Sequence, residues 1–194
     1  MWVDVETTGL DPSRDHLIEI AAFEAGPSDR QPALLYHTVF GTSLSDWEGV
    51  DPYVLRMHSA NGLQAESLRS SVLPGCPTLA DADVSIRSAL GMSSSDYGVT
   101  SWHVAGDSVH FDLAFIRTNL PRTAAYLSHR ILDVSAVKIM CRDMGMPHTK
   151  EDPSTVPHRA IQDVLRSFDQ YRECREWLAG RNTITARIKR LFRP

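Results

Sequence analysis

Residues 1–12 read MWVDVETTGLDP, and the first half of this stretch alternates apolar and acidic side chains. That period of two predicts a β-strand over residues 1–6 with Asp4 and Glu6 on one face. Thr7, Thr8 and Gly9 then turn the chain. Working outward, residues 16–25 (HLIEIAAFEA) predict a second strand, 26–32 (GPSDRQP) a hairpin loop, and 34–40 (LLYHTVF) a third strand. An antiparallel meander therefore opens the domain. Asp51 before Pro52 starts a helical region with stretches near 53–58 and 61–69, and residues 79–90 (LADADVSIRSAL) have apolar positions at helical spacing. A loop at 93–97 precedes a short apolar strand at 102–105, which feeds a helix beginning near His110 with Phe111, Ala114 and Phe115 on its buried stripe. Asp133 and Ser135 introduce a further helix with Val137, Met140 and Cys141 inward. Residues 150–157 (KEDPSTVP) form a loop, and residues 160–178 a long helix burying Ile161, Val164, Leu165 and Phe168. Strands first and helices later, with one strand in the second half, predict an α/β domain whose mixed central sheet is flanked by helices.

A chain of 194 residues buries enough surface to fold without a disulfide or a structural metal. Cys76, Cys141 and Cys174 show no CxxC pairing, which argues against a secreted disulfide scaffold or a zinc knuckle and favours a reducing compartment. No apolar run approaches the ~20 residues of a membrane span, and the early acids Asp4 and Glu6 do not fit a signal peptide. A soluble, cytoplasmic protein is the expectation. The formal charge of −4 is unevenly spread: residues 181–194 carry five basic side chains and no acid, leaving 15 basic against 24 acidic residues, or −9, elsewhere. We therefore divide the chain into a domain at 1–180 and a basic tail at 181–194. The tail could hold a polyanion near an acidic body, or be a solvated terminus.

Two acids on one strand face repel by about 4 kcal/mol at ~4 Å and an effective dielectric near 20. A cation would relieve this, and Asp4 and Glu6 beside the turn at a sheet edge could bind Mg²⁺ or Mn²⁺. The pair alone fits equally well two solvent-facing acids on an edge strand. Asp112, near a helix start, could simply complement the helix dipole. Asp163 is harder to dismiss, because it lies between Ile161 and Val164 on a face meant for burial, where an unpaired carboxylate is costly. His158, five residues earlier, does not share a helix face with it. From a loop preceding the helix it could swing toward the same site.

Taken in order, D-x-E-T-T-G at the start, His103, Asp107, His110, Phe111 and Asp112 in the middle, and H-x-x-x-x-D near the end resemble the DEDDh family of 3′-5′ exonucleases. Within it the chain is most similar to the oligoribonuclease branch, through WVDVETTGLDP (2–12), LIEIA (17–21), MHSANGL (57–63), GDSV (106–109), RILDVS (130–135) and HRAIQDV (158–164). The resemblance spans roughly residues 2–175 and omits the basic tail. It implies an RNase H-like fold, with Asp4, Glu6, Asp112 and Asp163 as ligands of two divalent cations, Mg²⁺ or Mn²⁺, and His158 as general base. It further implies a homodimer that degrades short single-stranded RNA, possibly DNA, to nucleoside 5′-monophosphates. Leu10 would wedge between bases, Tyr53 stack under a base where relatives have tryptophan, and His58 approach the 3′ end. Ser108, Arg130 and Ser135 would cap the 5′ phosphate.

Two positions depart from that pattern. His129 stands where oligoribonucleases resemble one another in having a tyrosine that reaches into the partner's site, and Tyr53 offers a smaller stacking face than tryptophan. These departures and the tail leave room for a more general exonuclease acting on longer DNA or RNA. A nucleic-acid-binding module without turnover is the third alternative. Retention of all five metal and base positions argues against it.

Overall fold

The computed structural model describes residues 1–26, 28–91, 102–147 and 157–191. The loop expected at 93–97 and nearly all of that at 150–157 lie outside the described residues. Five strands, β1 (Trp2–Thr7), β2 (Leu17–Glu24), β3 (Ala33–Val39), β4 (Trp102–Gly106) and β5 (Leu127–Asp133), form one mixed sheet in the order β3-β2-β1-β4-β5. The first three are antiparallel neighbours, whereas β4 runs parallel to both β1 and β5. Helices α1 (Pro52–Ala60), α2 (Leu63–Ser70) and α3 (Leu79–Ala89) follow the meander. Helices α4 (His110–Asn119), α5 (Pro121–Ala124), α6 (Val134–Asp143) and α7 (Ala160–Leu191) belong to the second half. This is the expected α/β, RNase H-like arrangement.

The sheet order corrects one expectation. Asp4 and Glu6 are not at a sheet edge, because β1 is the middle strand. Its alternation separates two cores: Val3 and Val5 pack with Ile86 of α3 and with Leu113 and Phe115 of α4, while Trp2 packs on the opposite face with Val164 and Phe168 of α7. Trp2 meets Phe168 edge-on, with centroids 5.1 Å apart. Asp4 and Glu6 share the Trp2 face by period, so the fold turns two acids toward α7. A third cluster, Ile18, Val39, Trp47 and Leu63, fastens the α1–α2 region to the meander.

Other differences have local causes. Strand β5 escapes the sequence pattern because LSHRILD is largely polar, as suits the open edge of a sheet. The short α5 and a single 3₁₀ turn at Leu44–Trp47 are too brief to show a periodicity. On α6 the fully buried residues are Val134 and Cys141, with Met140 45% exposed. On α7 the inward positions include Ala160, Asp163, Val164, Ser167 and Phe168, and Leu165 is 39% exposed. In both helices the true stripe is rotated to admit a small or polar side chain where the reading by hydrophobicity placed a larger one. Helix α7 also continues without interruption past residue 180 to Leu191.

Candidate active site

Strands β1 and β4 pair through Trp2 and Ala105 and then part. Gly106, which ends β4, lies so close to β1 that a Cβ there would stand 2.7 Å from the Val3 carbonyl oxygen. This approach brings the start of α4 against β1. There Asp112 accepts the Val5 N–H through Oδ1 at 2.8 Å, taking the place of the missing strand partner. Its other oxygen makes no part of that bond. Asp112 is 4% exposed, and burial pushes its carboxyl up to about 7 even though the Val5 hydrogen bond pulls the other way.

The neighbouring acids are displaced in the same direction. Asp4 lies well above the usual carboxylate range, first because it is desolvated and then because Asp112, Glu6, Asp163 and Glu19 surround it with like charge. Glu6 is raised by burial and by Asp163, Glu19 and Asp112, with Arg159 opposing. Asp163, on the buried side of α7, is raised by burial against the pull of Arg166, whose Nη2 is 3.1 Å from its Oδ1. Desolvation is the leading cause of all four shifts, and repulsion from the other site acids adds to it at Asp4 and Glu6. Among the described residues, Glu6, His158 and Asp163 each present a ligand atom within 4.8 Å of the others. His158 precedes α7, as a loop residue must to share a site with Asp163. Oxygen-rich and half-buried, this donor set fits hard divalent cations such as Mg²⁺ or Mn²⁺.

Glu6 and His158 line a cleft of about 560 Å³ together with Leu10, Tyr53, Met57 and Phe111. Leu10 is 80% exposed on the turn after β1, and Tyr53 is 60% exposed on α1. Both therefore stand at the rim. The turn is rigid for its length: Thr7 Oγ1 donates to the Gly9 carbonyl at 2.6 Å, and Thr8 exchanges two bonds with His16 at 2.8 and 3.0 Å.

His58 is not part of the cleft wall. It is fully buried behind it, with Nε2 3.1 Å from the Thr7 carbonyl and 3.9 Å from Glu6, its ring edge-on to Trp47. Burial lowers its pKa. Ser108 and Ser135 come together elsewhere, at the ends of β4 and β5, where Asp133 accepts from the Ser108 N–H at 3.2 Å and from the Ser135 N–H at 2.9 Å and hydroxyl. Arg130 is exposed on β5. Ser108 and Ser135 form a second polar group with Asp133, and none of the three expected cap residues is among those lining the cleft around Glu6.

The sequence reading gave no role to Glu19 or Arg159, and it placed Phe111 on a buried stripe, whereas Phe111 lines the cleft. Glu19 faces Glu6 across the β1–β2 pair and is 1% exposed. Burial alone would raise its carboxyl, yet hydrogen bonds from His37 and Arg159 outweigh this and hold it below the usual range. An acid between two isoleucines in the middle of a buried strand (IEI, 18–20) was the signal available. Two facing glutamates thus have opposite fates, Glu19 held below the usual range by its partners and Glu6 raised well above it by burial.

No protein-family model matches the chain. Individual relatives do. It is 30% identical over 176 residues to the oligoribonuclease of Corynebacterium glutamicum (strain R), covering 89% of this chain and 77% of that protein. It is 30% identical over 181 residues to the oligoribonuclease of Tropheryma whipplei (strain Twist), covering 91% of each. To the probable oligoribonuclease of Dictyostelium discoideum it is 29% identical over 181 residues, covering 90% and 87%. With 30% identity over 89–91% of this chain and 77–91% of those relatives, the chain belongs to the oligoribonuclease family.

Proposed function

We propose that the protein is a DEDDh-type 3′-5′ exoribonuclease that hydrolyses short single-stranded RNA to nucleoside 5′-monophosphates with two divalent cations held by Asp4, Glu6, Asp112 and Asp163. The observation that carries this reading is the convergence of four carboxylates from β1, α4 and α7, all raised by burial and two of them, Asp4 and Glu6, also by the other site acids, beside a histidine lining a cleft. When bound, such ions supply hydroxide near neutral pH and offset charge on the departing 3′ oxygen.

The chain's own groups supply the remainder. His158 accepts the proton of the attacking water as general base. Asp112 keeps one oxygen on the Val5 N–H and presents the other, so its orientation is set before substrate arrives. Tyr53 and Leu10 engage bases at the rim, by stacking and by wedging. His58 supports Glu6 and the Thr7 carbonyl from behind, rather than meeting the 3′ end directly. Ser108 and Ser135, at the ends of β4 and β5, and Arg130, exposed within β5, cap a 5′ phosphate. A second copy of the chain belongs to this reading, because β5 is an open edge and Ile131, Ile139, Met140 and Met144 on β5 and α6 are 37–58% exposed. We place the protein in the cytoplasm, where its three free thiols would remain reduced.

Release of mononucleotide from 5′-labelled RNA of two to twenty nucleotides, with Mg²⁺ or with EDTA, tests the reading. Activity abolished by EDTA and strongest on the shortest strands is expected. Equal rates on a dinucleotide and a seven-mer would remove the short-substrate preference and favour a general exonuclease on longer strands, the alternative supported by the basic continuation of α7 and by His129. Hydrolysis by Asp163→Ala at the parent rate would overturn the catalytic assignment.

A further inference from the structure

His158 has φ +48°, in the left-handed region that a residue with a side chain seldom adopts. Its surroundings impose this conformation through the backbone on either side of it. On one side, Asn61 Nδ2 donates to the His158 carbonyl at 2.6 Å and to the Pro157 carbonyl at 3.3 Å. The Asn61 amide cannot turn over without loss, because its Oδ1 already accepts the Leu63 N–H at 3.0 Å. On the other side, the Arg159 guanidinium forks onto Glu19 through Nε at 3.0 Å and Nη2 at 3.1 Å, and Nη2 also reaches Glu66 at 2.8 Å. Glu19 accepts the Ala160 N–H as well, at 3.2 Å, and is itself held by His37 at 2.8 Å.

We propose that Asn61 and the Glu19–Arg159 pair are positioning residues, which fix the His158 imidazole beside Glu6 and Asp163, Asn61 by holding the Pro157 and His158 carbonyls and Glu19 by holding the Arg159 side chain and the Ala160 N–H that follow. The proposal rests on the reading of His158 as general base. The geometry explains why the anchors come from where they do. Glu19 is paired in register with Glu6, so one strand pair carries both a cation ligand and the anchor of the base. Asn61 ends α1, the helix whose Tyr53 stands at the cleft rim, so rim and base share a mount. An ordered base is needed because misplacement by about 1 Å can cost on the order of 10²-fold in rate. Arginine is required at 159 because two N–H groups in a fixed fork meet the two oxygens of Glu19, which a lysine cannot reproduce.

The test is a double-mutant cycle with a dinucleotide substrate and Mn²⁺. Asn61→Ala and Arg159→Lys are each expected to lower kcat by about 10- to 100-fold with KM changed less than about twofold. In a His158→Ala background the same substitutions should cost less than about twofold more, because the ring they position is gone. Equal losses in both backgrounds would show a general structural role and overturn the proposal. If Asn61→Ala does not fold, Arg159→Lys, which keeps a positive charge toward Glu19, carries the same cycle. An imidazole ¹H–¹³C NMR spectrum gives a readout independent of turnover. The protein has eight histidines, and the His158 peak is identified by its loss in His158→Ala. It should move or broaden in Asn61→Ala, and an unmoved peak overturns the proposal. A moved peak in a protein that hydrolyses no short RNA would sink the functional reading and leave the positioning role standing.

Discussion

Asp112 shows how much one side chain can be asked to do. Its carboxylate completes the hydrogen bonding of β1, is buried there, and is one of the four acids of the proposed cation site. Because its folded pKa is raised from 3.8 to about 7, the metal-free native state holds more protons than the unfolded chain between those values. This group's contribution to stability therefore falls as pH rises from about 4 to 7, and the deficit is complete above. Asp112→Asn keeps an acceptor for Val5 without the charge. At pH 8 in EDTA its melting temperature should exceed the parent's, and the difference should vanish near pH 4. The displacement has a ceiling of roughly 4 kcal/mol. Since the carboxylates titrate jointly, we expect about 1–2 kcal/mol, or about 2–8 °C by calorimetry. The same variant should lose hydrolysis by at least about 10²-fold. The sequence announced some of this chemistry and hid the rest. Asp163 was conspicuous as an acid on an apolar helix face, whereas Asp112 looked like an ordinary first-turn acid. Glu19 gave no hint of its tie to Arg159, 140 residues away.

Among the elements, the meander and the helices at 79–89 and 110–119 were legible because a clear period marks them, and β5 was not because an edge strand need not bury either face. The rank of β1 in the sheet was also unreadable from its own residues. Alternating acids suggest an edge, but here Val3 and Val5 face one core while Trp2 meets a second core on the face that carries Asp4 and Glu6. What converts the central strand into a site is the close approach of β4 at Gly106. Gly106→Ala should force its Cβ against the Val3 carbonyl and Val109, which it would meet at 2.7 and 3.1 Å. We expect a loss of about 1–3 kcal/mol in urea unfolding. We also expect a larger fall in hydrolysis than the stability loss alone would produce, since α4 and Asp112 move with β4. A variant with parent stability and activity would show that the approach is not needed.

At the scale of the whole molecule, charge is segregated: an acidic body bears a basic C-terminal segment, and α7 joins the two, beginning two residues after His158 and ending at Leu191. Among the described residues, α7 packs into the body through Phe168 and Cys174, which are 2–3% exposed. Deleting residues 181–194 should leave the melting temperature within about 2 °C and dinucleotide hydrolysis within about twofold. On strands of about twenty nucleotides it should weaken activity and flatten its salt dependence, each lost phosphate contact reducing the slope by about 0.7. Unchanged rates and slopes on every length would remove the tail from substrate handling.

The bond from the Val5 amide to Asp112 also makes a gauge. That proton is guarded by a side chain rather than by a neighbouring strand, so its hydrogen–deuterium exchange follows the state of a single carboxylate. Cations that lock the carboxylate in place should slow its exchange, while the Ile20 amide of β2, inside the regular ladder, keeps its own pace. Occupancy of the site could then be followed in solution with no substrate present.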